Sequence, residues 1–169
     1  MSDIVNRVAS SPIITVNLEE IYPKEERVIF DLKPFLFQEL ILREKEFRAA
    51  LKEIDWTQYR NKWVAITCTA DAIVPNWAFM LVATYLDPSA RGYAIGDLKE
   101  LEVMISEDCL RKLELASFND RPVVVKGCSD FPIPLFAYGK IISLIQPRAK
   151  SIMYGEPCST VPLYKKQKS

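Results

Sequence analysis

The sequence predicts an α/β fold: internally duplicated βαβ units forming a mostly parallel sheet flanked by helices, with an N-terminal β-hairpin and helix. Three observations predict it. Val64–Asp97 lies on Val123–Glu156 without a gap when the chain is slid by 59 residues, with seven identities in 34 positions, where chance gives roughly two. The runs Val64-Ala65-Ile66-Thr67 and Val123-Val124-Val125 are apolar without alternation, the pattern of strands buried on both faces of a parallel sheet. Proline punctuates both copies at the same places, Pro75/Pro134 and Pro88/Pro147. Shared punctuation favours duplication over two convergent βαβ units.

The elements follow in order. Ile13-Ile14-Thr15-Val16 and Arg27-Val28-Ile29-Phe30 read as strands around a turn at Tyr22-Pro23-Lys24, a hairpin on an edge. Phe47, Leu51 and Ile54 recur at helical spacing, so an amphipathic helix spans Glu44–Ile54. Each copy then reads strand, polar loop, helix, strand. The helices open near Pro75 and Pro134, where proline is tolerated in a first turn. The closing strands Tyr93-Ala94-Ile95 and Ile152-Met153-Tyr154 end at Gly96 and Gly155. Two such units side by side predict a four-stranded core sheet. Ser106-Glu107-Asp108 reads as the N-cap of a helix joining the copies. Val161-Pro162-Leu163-Tyr164 reads as a terminal edge strand, where proline is allowed.

No low-complexity linker interrupts the chain, and 169 residues suit one domain. Within residues 1–169 the expected parts are hairpin and helix (1–60), first βαβ copy (61–97), connecting helix (98–118), second copy (119–157), and terminal strand and tail (158–169).

Composition narrows the chemistry. There is no histidine, which removes Ser-His-Asp triads, Cys-His pairs and imidazole ligands. The 22 basic residues balance 22 acidic ones, so no general nucleic-acid partner is expected; Lys165-Lys166-Gln167-Lys168 reads as a solvated tail. The N-terminus lacks a charged region followed by an apolar one. The uncharged run Ala72–Leu86, 15 residues long, is shorter than the ~18 of a membrane helix. A cytoplasmic location with reduced cysteines and no membrane partner is the expectation.

Ligands of open parallel sheets sit at the carboxyl ends of strands. The residues there are Cys68-Thr69-Ala70-Asp71, Gly96-Asp97, Gly127-Cys128-Ser129-Asp130 and Gly155-Glu156-Pro157-Cys158-Ser159-Thr160. Thus three of four cysteines are expected on one edge, with Cys109 inside the connecting helix. Four readings stand. Cys68, Cys128 and Cys158 would hold zinc, iron or an iron–sulfur cluster, with Asp71, Asp130 or Glu156 as fourth ligand and Asp97 nearby; no C-x-x-C spacing marks such a site. Metal–thiolate bonds of ~2.3 Å require the three sulfurs to converge. A reactive thiol at a helix start could exchange disulfides or persulfides without a histidine. Two helix N-termini with the hydroxyls of Thr69, Ser129, Ser159 and Thr160 could hold an anion or small molecule. Trp56, Tyr59 and Phe35-Leu36-Phe37 form either an interaction patch or the lid of the core. An enzyme with a carboxylate base ranks behind these. Helix capping is the simpler role for Asp71 and Asp130, and burial the simpler fate of a cysteine.

Phe30-Asp31-Leu32-Lys33, Leu42–Arg48, Val64–Pro75 and above all Lys150–Pro162 resemble a bacterial family catalogued as domain of unknown function 2480. The resemblance covers nearly the whole chain. It brings no assigned activity and no catalytic residues. It implies, through gene neighbourhood, an accessory role in iron–sulfur or metal and thiol handling with a protein partner in iron–sulfur assembly. A homodimer is compatible with the sequence. The alternative is a non-catalytic anion- or small-molecule-binding protein or interaction module using the same edge.

Overall fold

A computed structural model describes residues 13–127, 133–156 and 159–167. In chain order the elements are β1 (Ile14–Asn17), α1 (Leu18–Ile21), β2 (Arg27–Asp31), β3 (Leu36–Phe37), β4 (Ile41–Leu42), α2 (Glu44–Lys52), β5 (Trp63–Thr67), α3 (Asn76–Leu86), β6 (Gly92–Ile95), α4 (Leu98–Arg111), β7 (Pro122–Lys126), α5 (Leu135–Ile145), β8 (Ser151–Glu156) and β9 (Ser159–Lys165). The fold is α/β with mostly parallel sheets and flanking helices. Two compact units divide the chain. They are called central (Lys24–Met104) and terminal (the segment ending at Pro23 with Ile105 onward) for their place in the sequence.

The central unit carries a parallel sheet of order β2-β5-β6. β5 is its middle strand. Trp63, Val64, Ala65 and Ile66 are all buried, as a strand covered on both faces requires. α2 turns Phe47 and Leu51 into the core, and α3 buries Ala78, Val82, Ala83 and Leu86. Phe30, Val64 and Ile66 complete that cluster. Trp56 lies between Phe30 and Tyr85, with ring centroids 5.4 and 4.9 Å away, and its indole N–H donates to Leu51 O at 2.9 Å. Trp56, Tyr59 and Phe35 therefore lid the core, and Phe37 alone of that aromatic group is exposed.

The terminal unit carries a sheet of order β1-β7-β8-β9. β1, β7 and β8 are parallel and β9 runs antiparallel to β8, the edge strand expected around Val161–Tyr164. Val123, Val124 and Val125 are buried, and Ile141, Ile145 and Ile152 pack against Val123 and Val125.

Segments 59 residues apart adopt the same elements. β5 and β7 correspond, as do α3 and α5 and the 3₁₀ turns Trp56–Tyr59 and Leu115–Phe118. The sheet registers correspond too: Val64 pairs with Tyr93, and Val123 with Ile152. Asn61 and Asp120 both take positive φ, and Asn61 N donates to Ser89 O as Asp120 N does to Arg148 O.

Three expectations are corrected. The two βαβ segments do not share one four-stranded sheet; each strand pair joins a different one. The N-terminal hairpin does not form. β1 pairs in parallel with β7 and β2 with β5, because the connection holds a helix rather than a tight turn. Asn17 caps that helix by accepting from Glu19 N at 3.2 Å. The connecting helix starts at Leu98, not at Ser106. Asp97 Oδ1 accepts from Lys99 N, and Glu100 Oε2 accepts from Asp97 N at 2.8 Å, a reciprocal cap. Ser106 is buried mid-helix, its hydroxyl 3.2 Å from that of Tyr22.

Candidate functional site

The carboxyl edge of the central sheet gathers the ends of β2, β5 and β6. Asp31 closes β2. Its Oδ1 accepts from Lys33 N at 2.9 Å and Thr69 N at 3.0 Å, and its Oδ2 accepts the Thr69 hydroxyl at 2.5 Å. Burial pushes this carboxyl up. The Thr69 hydroxyl and the Lys33 and Thr69 amides, with the Lys33 charge, outweigh that and bring it below the ordinary aspartate range. Leu32 N donates to Thr67 O and Gly96 N to Ile66 O, at 2.8 and 2.9 Å. The three strand ends are thus tied together by backbone and by one carboxylate.

Between β5, β6 and the loop that leads to α3 lies an open cleft of about 410 Å³. Ile66, Ile73, Val74, Phe79 and Ile95 supply apolar walls, and Thr67, Cys68 and Gly96 the strand-end rim. Among the described residues no charged side chain lines it. Cys68 is a half-buried free thiol whose Sγ is 3.9 Å from Ala70 O. Ile73 is 96% exposed and Ile95 51%. Two aliphatic side chains so placed beside a concave apolar wall make a surface suited to an apolar ligand.

The expected site residues divide between two sheets. Cys68, Thr69, Asp71 and Asp97 follow strands of the central one; Glu156, Ser159 and Thr160 lie on strands of the terminal one. Cys128, Ser129, Asp130 and Cys158 lie outside the described residues. Asp97 is engaged as a helix cap, and the Glu100 carboxyl and Lys99 amide hydrogen-bonded to it hold its own carboxyl down. Glu156 pairs with Lys126 at 2.7 Å. Thr160 Oγ1 is 3.6 Å from Met153 Sδ. Asp71 is exposed and does not cap α3; the N-cap is Pro75, without a side-chain bond. Cys109 is buried in α4. Among the described residues no group of three His, Cys, Asp or Glu could hold a metal ion. No helix of the described chain is long and apolar enough to cross a membrane.

Asp31 was not among the residues that strand-end reasoning selects. Its signal is modest: a carboxylate that ends a β-branched run and precedes Leu32-Lys33-Pro34. The assignment of β2 to a hairpin hid it. Once β2 is a parallel neighbour of β5, its last residue belongs to the same carboxyl edge.

A family model described as "Protein of unknown function (DUF2480)" matches residues 2–166, so the chain belongs to that family. Comparison with curated proteins and with solved structures gives no match.

Proposed function

We propose that this family member is a thiol-bearing binding protein whose ligand enters the cleft at the carboxyl edge of the β2-β5-β6 sheet and meets Cys68. The observation that carries the reading is the cleft of about 410 Å³ with a half-buried free thiol on its rim. Its place supports the reading, because parallel α/β sheets bind ligands where their strands end. Its lining supports a ligand with an apolar body: the walls are aliphatic and aromatic, and the thiol is one soft, polarisable donor among them.

Thiol–disulfide exchange tests it. Native protein is treated in parallel with 4,4′-dithiodipyridine and with glutathione disulfide, and modification of Cys68 is followed by peptide mass spectrometry. The Cys68 thiolate attacks one sulfur and releases the other half as a thiolate. An apolar cleft predicts a preference for the aromatic disulfide about tenfold above that of a free peptide spanning Thr67–Ala70. Equal preferences in protein and peptide overturn the reading.

A second reading, accessory handling of zinc, iron or an iron–sulfur cluster through Cys68, Cys128 and Cys158, draws support from the accessibility of the Cys68 thiol. Cys68 alone cannot complete a thiolate site, which takes about four ligands. In this reading Cys128 and Cys158 complete it, and a protein partner in iron–sulfur assembly delivers or receives the metal. Anaerobically purified protein then contains zinc, iron or sulfide, and Cys128→Ser loses it. Metal-free protein, or metal that survives Cys128→Ser, removes this reading.

A further inference from the structure

We infer that the ligand of the central cleft is an extended peptide strand with alternating aliphatic residues, added antiparallel to the open edge of β6. This rests on the cleft being a binding site, and it names what binds there. The terminal unit supplies the template. Ile66, Phe79 and Ile95 line the central cleft. Their counterparts 59 residues on, Val125, Tyr138 and Tyr154, line a groove of about 200 Å³ that is almost wholly apolar. Two further walls of that groove are Val161 and Leu163, which belong to β9. β9 lies antiparallel along β8, with Tyr154 opposite Val161 and Ile152 opposite Tyr164. A strand therefore lies where, among the described residues, the central sheet has none, since β6 is the edge of the β2-β5-β6 order.

The backbone of β6 is prepared for such a strand. Gly96 N donates inward to Ile66 O. In a strand, alternate residues turn their N–H and C=O to the same side. Tyr93 and Ile95 therefore present theirs away from β5, as their counterparts Ile152 and Tyr154 do toward β9. The side chain of Ile95 is half exposed, as the anchor of an arriving aliphatic residue would be. Main-chain bonds of this kind give affinity, and pockets for alternate side chains give specificity.

The probe is a fluorescein-labelled peptide with the sequence of Ser159–Lys166, STVPLYKK, titrated into the full chain and followed by polarisation. The expected result is saturable binding, weakened about tenfold or more by Ile95→Lys, with amide-exchange protection gained at Tyr93 and Ile95. Ile95→Asp, a second exposed-site variant, guards against a folding defect in the first; circular dichroism checks both. Protection at Ile152 and Tyr154 instead, or binding unaffected in both folded variants, overturns the inference. So does absence of binding at millimolar peptide. The disulfide-preference experiment reads the cleft without any peptide, so a failed strand leaves that result standing, whereas a failed cleft shows there first.

Discussion

The Asp31 carboxylate accepts both the hydroxyl and the amide of Thr69, at 2.5 and 3.0 Å, across 38 residues of chain. This pair fixes the loop that carries Cys68, because Thr69 is the next residue. Asp31→Asn keeps the shape, removes the charge and places an amide where two acceptor oxygens stand. Hydrogen bonds to a charged acceptor contribute about 1.5–3 kcal/mol each before the competition of water at a partly exposed site. The expected loss is about 1–2 kcal/mol in denaturant unfolding, with faster amide exchange at Thr69. Because the folded carboxyl titrates below its ordinary range, the contribution is full above that range and vanishes as pH falls through the folded value. The difference between wild type and Asp31→Asn should therefore shrink with acid and be constant from neutral pH upward. A difference that grows on acidification contradicts the geometry.

Cys68 and Cys109 differ in access. Cys68 is half-buried on an open rim, whereas Cys109 is buried within α4. Maleimide labelling of native protein, resolved by peptide mass spectrometry, should modify Cys68 within minutes and Cys109 only after unfolding. Modification needs an exposed thiolate, so labelling of Cys109 at the Cys68 rate would place α4 differently from its packing here.

Much of the architecture is legible in the residues, and the limits are physical. Apolar runs without alternation mark β5 and β7 as central strands, and proline sets where α3 and α5 begin. Which strands become neighbours is not written locally. β1 and β2 lie close in sequence yet pair with β7 and β5, more than thirty residues away along the chain. A sequence shows that Val28–Phe30 is apolar and β-rich, but only the assembled core decides which edge it covers. The same gap separated Asp31 from the site, and it merged two carboxyl edges into one. The start of α4 was hidden by a different cause. Asp97 follows a strand as a ligand would, and its role as cap depends on Glu100 three residues on, the D-x-x-E form of the capping box. Ser106-Glu107-Asp108 imitates an N-cap, but Ser106 is buried within a helix already two turns long.

The hairpin of β3 and β4 turns on two residues that resist its geometry. Gln38 and Glu39 have φ of 51° and 58°, with Leu40 N donating to Phe37 O at 3.1 Å. Positive φ at both central positions defines a type I′ turn, which favours Asn-Gly. The double substitution Gln38→Asn with Glu39→Gly should stabilise the protein by about 0.5–1 kcal/mol. The pair Lys33–Glu39, 3.4 Å apart and largely exposed, is lost, but a surface pair of that kind contributes less than about 1 kcal/mol. Chemical denaturation measures the balance. A destabilised double variant would show that this ion pair, rather than turn strain, dominates the hairpin.

Gly96 and Gly139 make opposite predictions for the same chemical change. Gly96 has φ of 143°, and a Cβ there would lie 2.9 Å from both Cβ and Cγ of Glu100, the residue that completes the α4 cap. Alanine must therefore both strain the backbone and displace Glu100. Strain in that region costs of order 1–3 kcal/mol, and loss of the cap adds to it. Gly139 sits inside α5 with nothing within 4 Å of an added Cβ. Alanine there removes unfolded-chain freedom and favours the helix by about 0.8–1.0 kcal/mol. Gly96→Ala should thus lower the denaturation midpoint and Gly139→Ala raise it. If Gly96→Ala is neutral, the strand end and helix start do not meet as described; the cleft rim formed by Gly96 then loses its support as well.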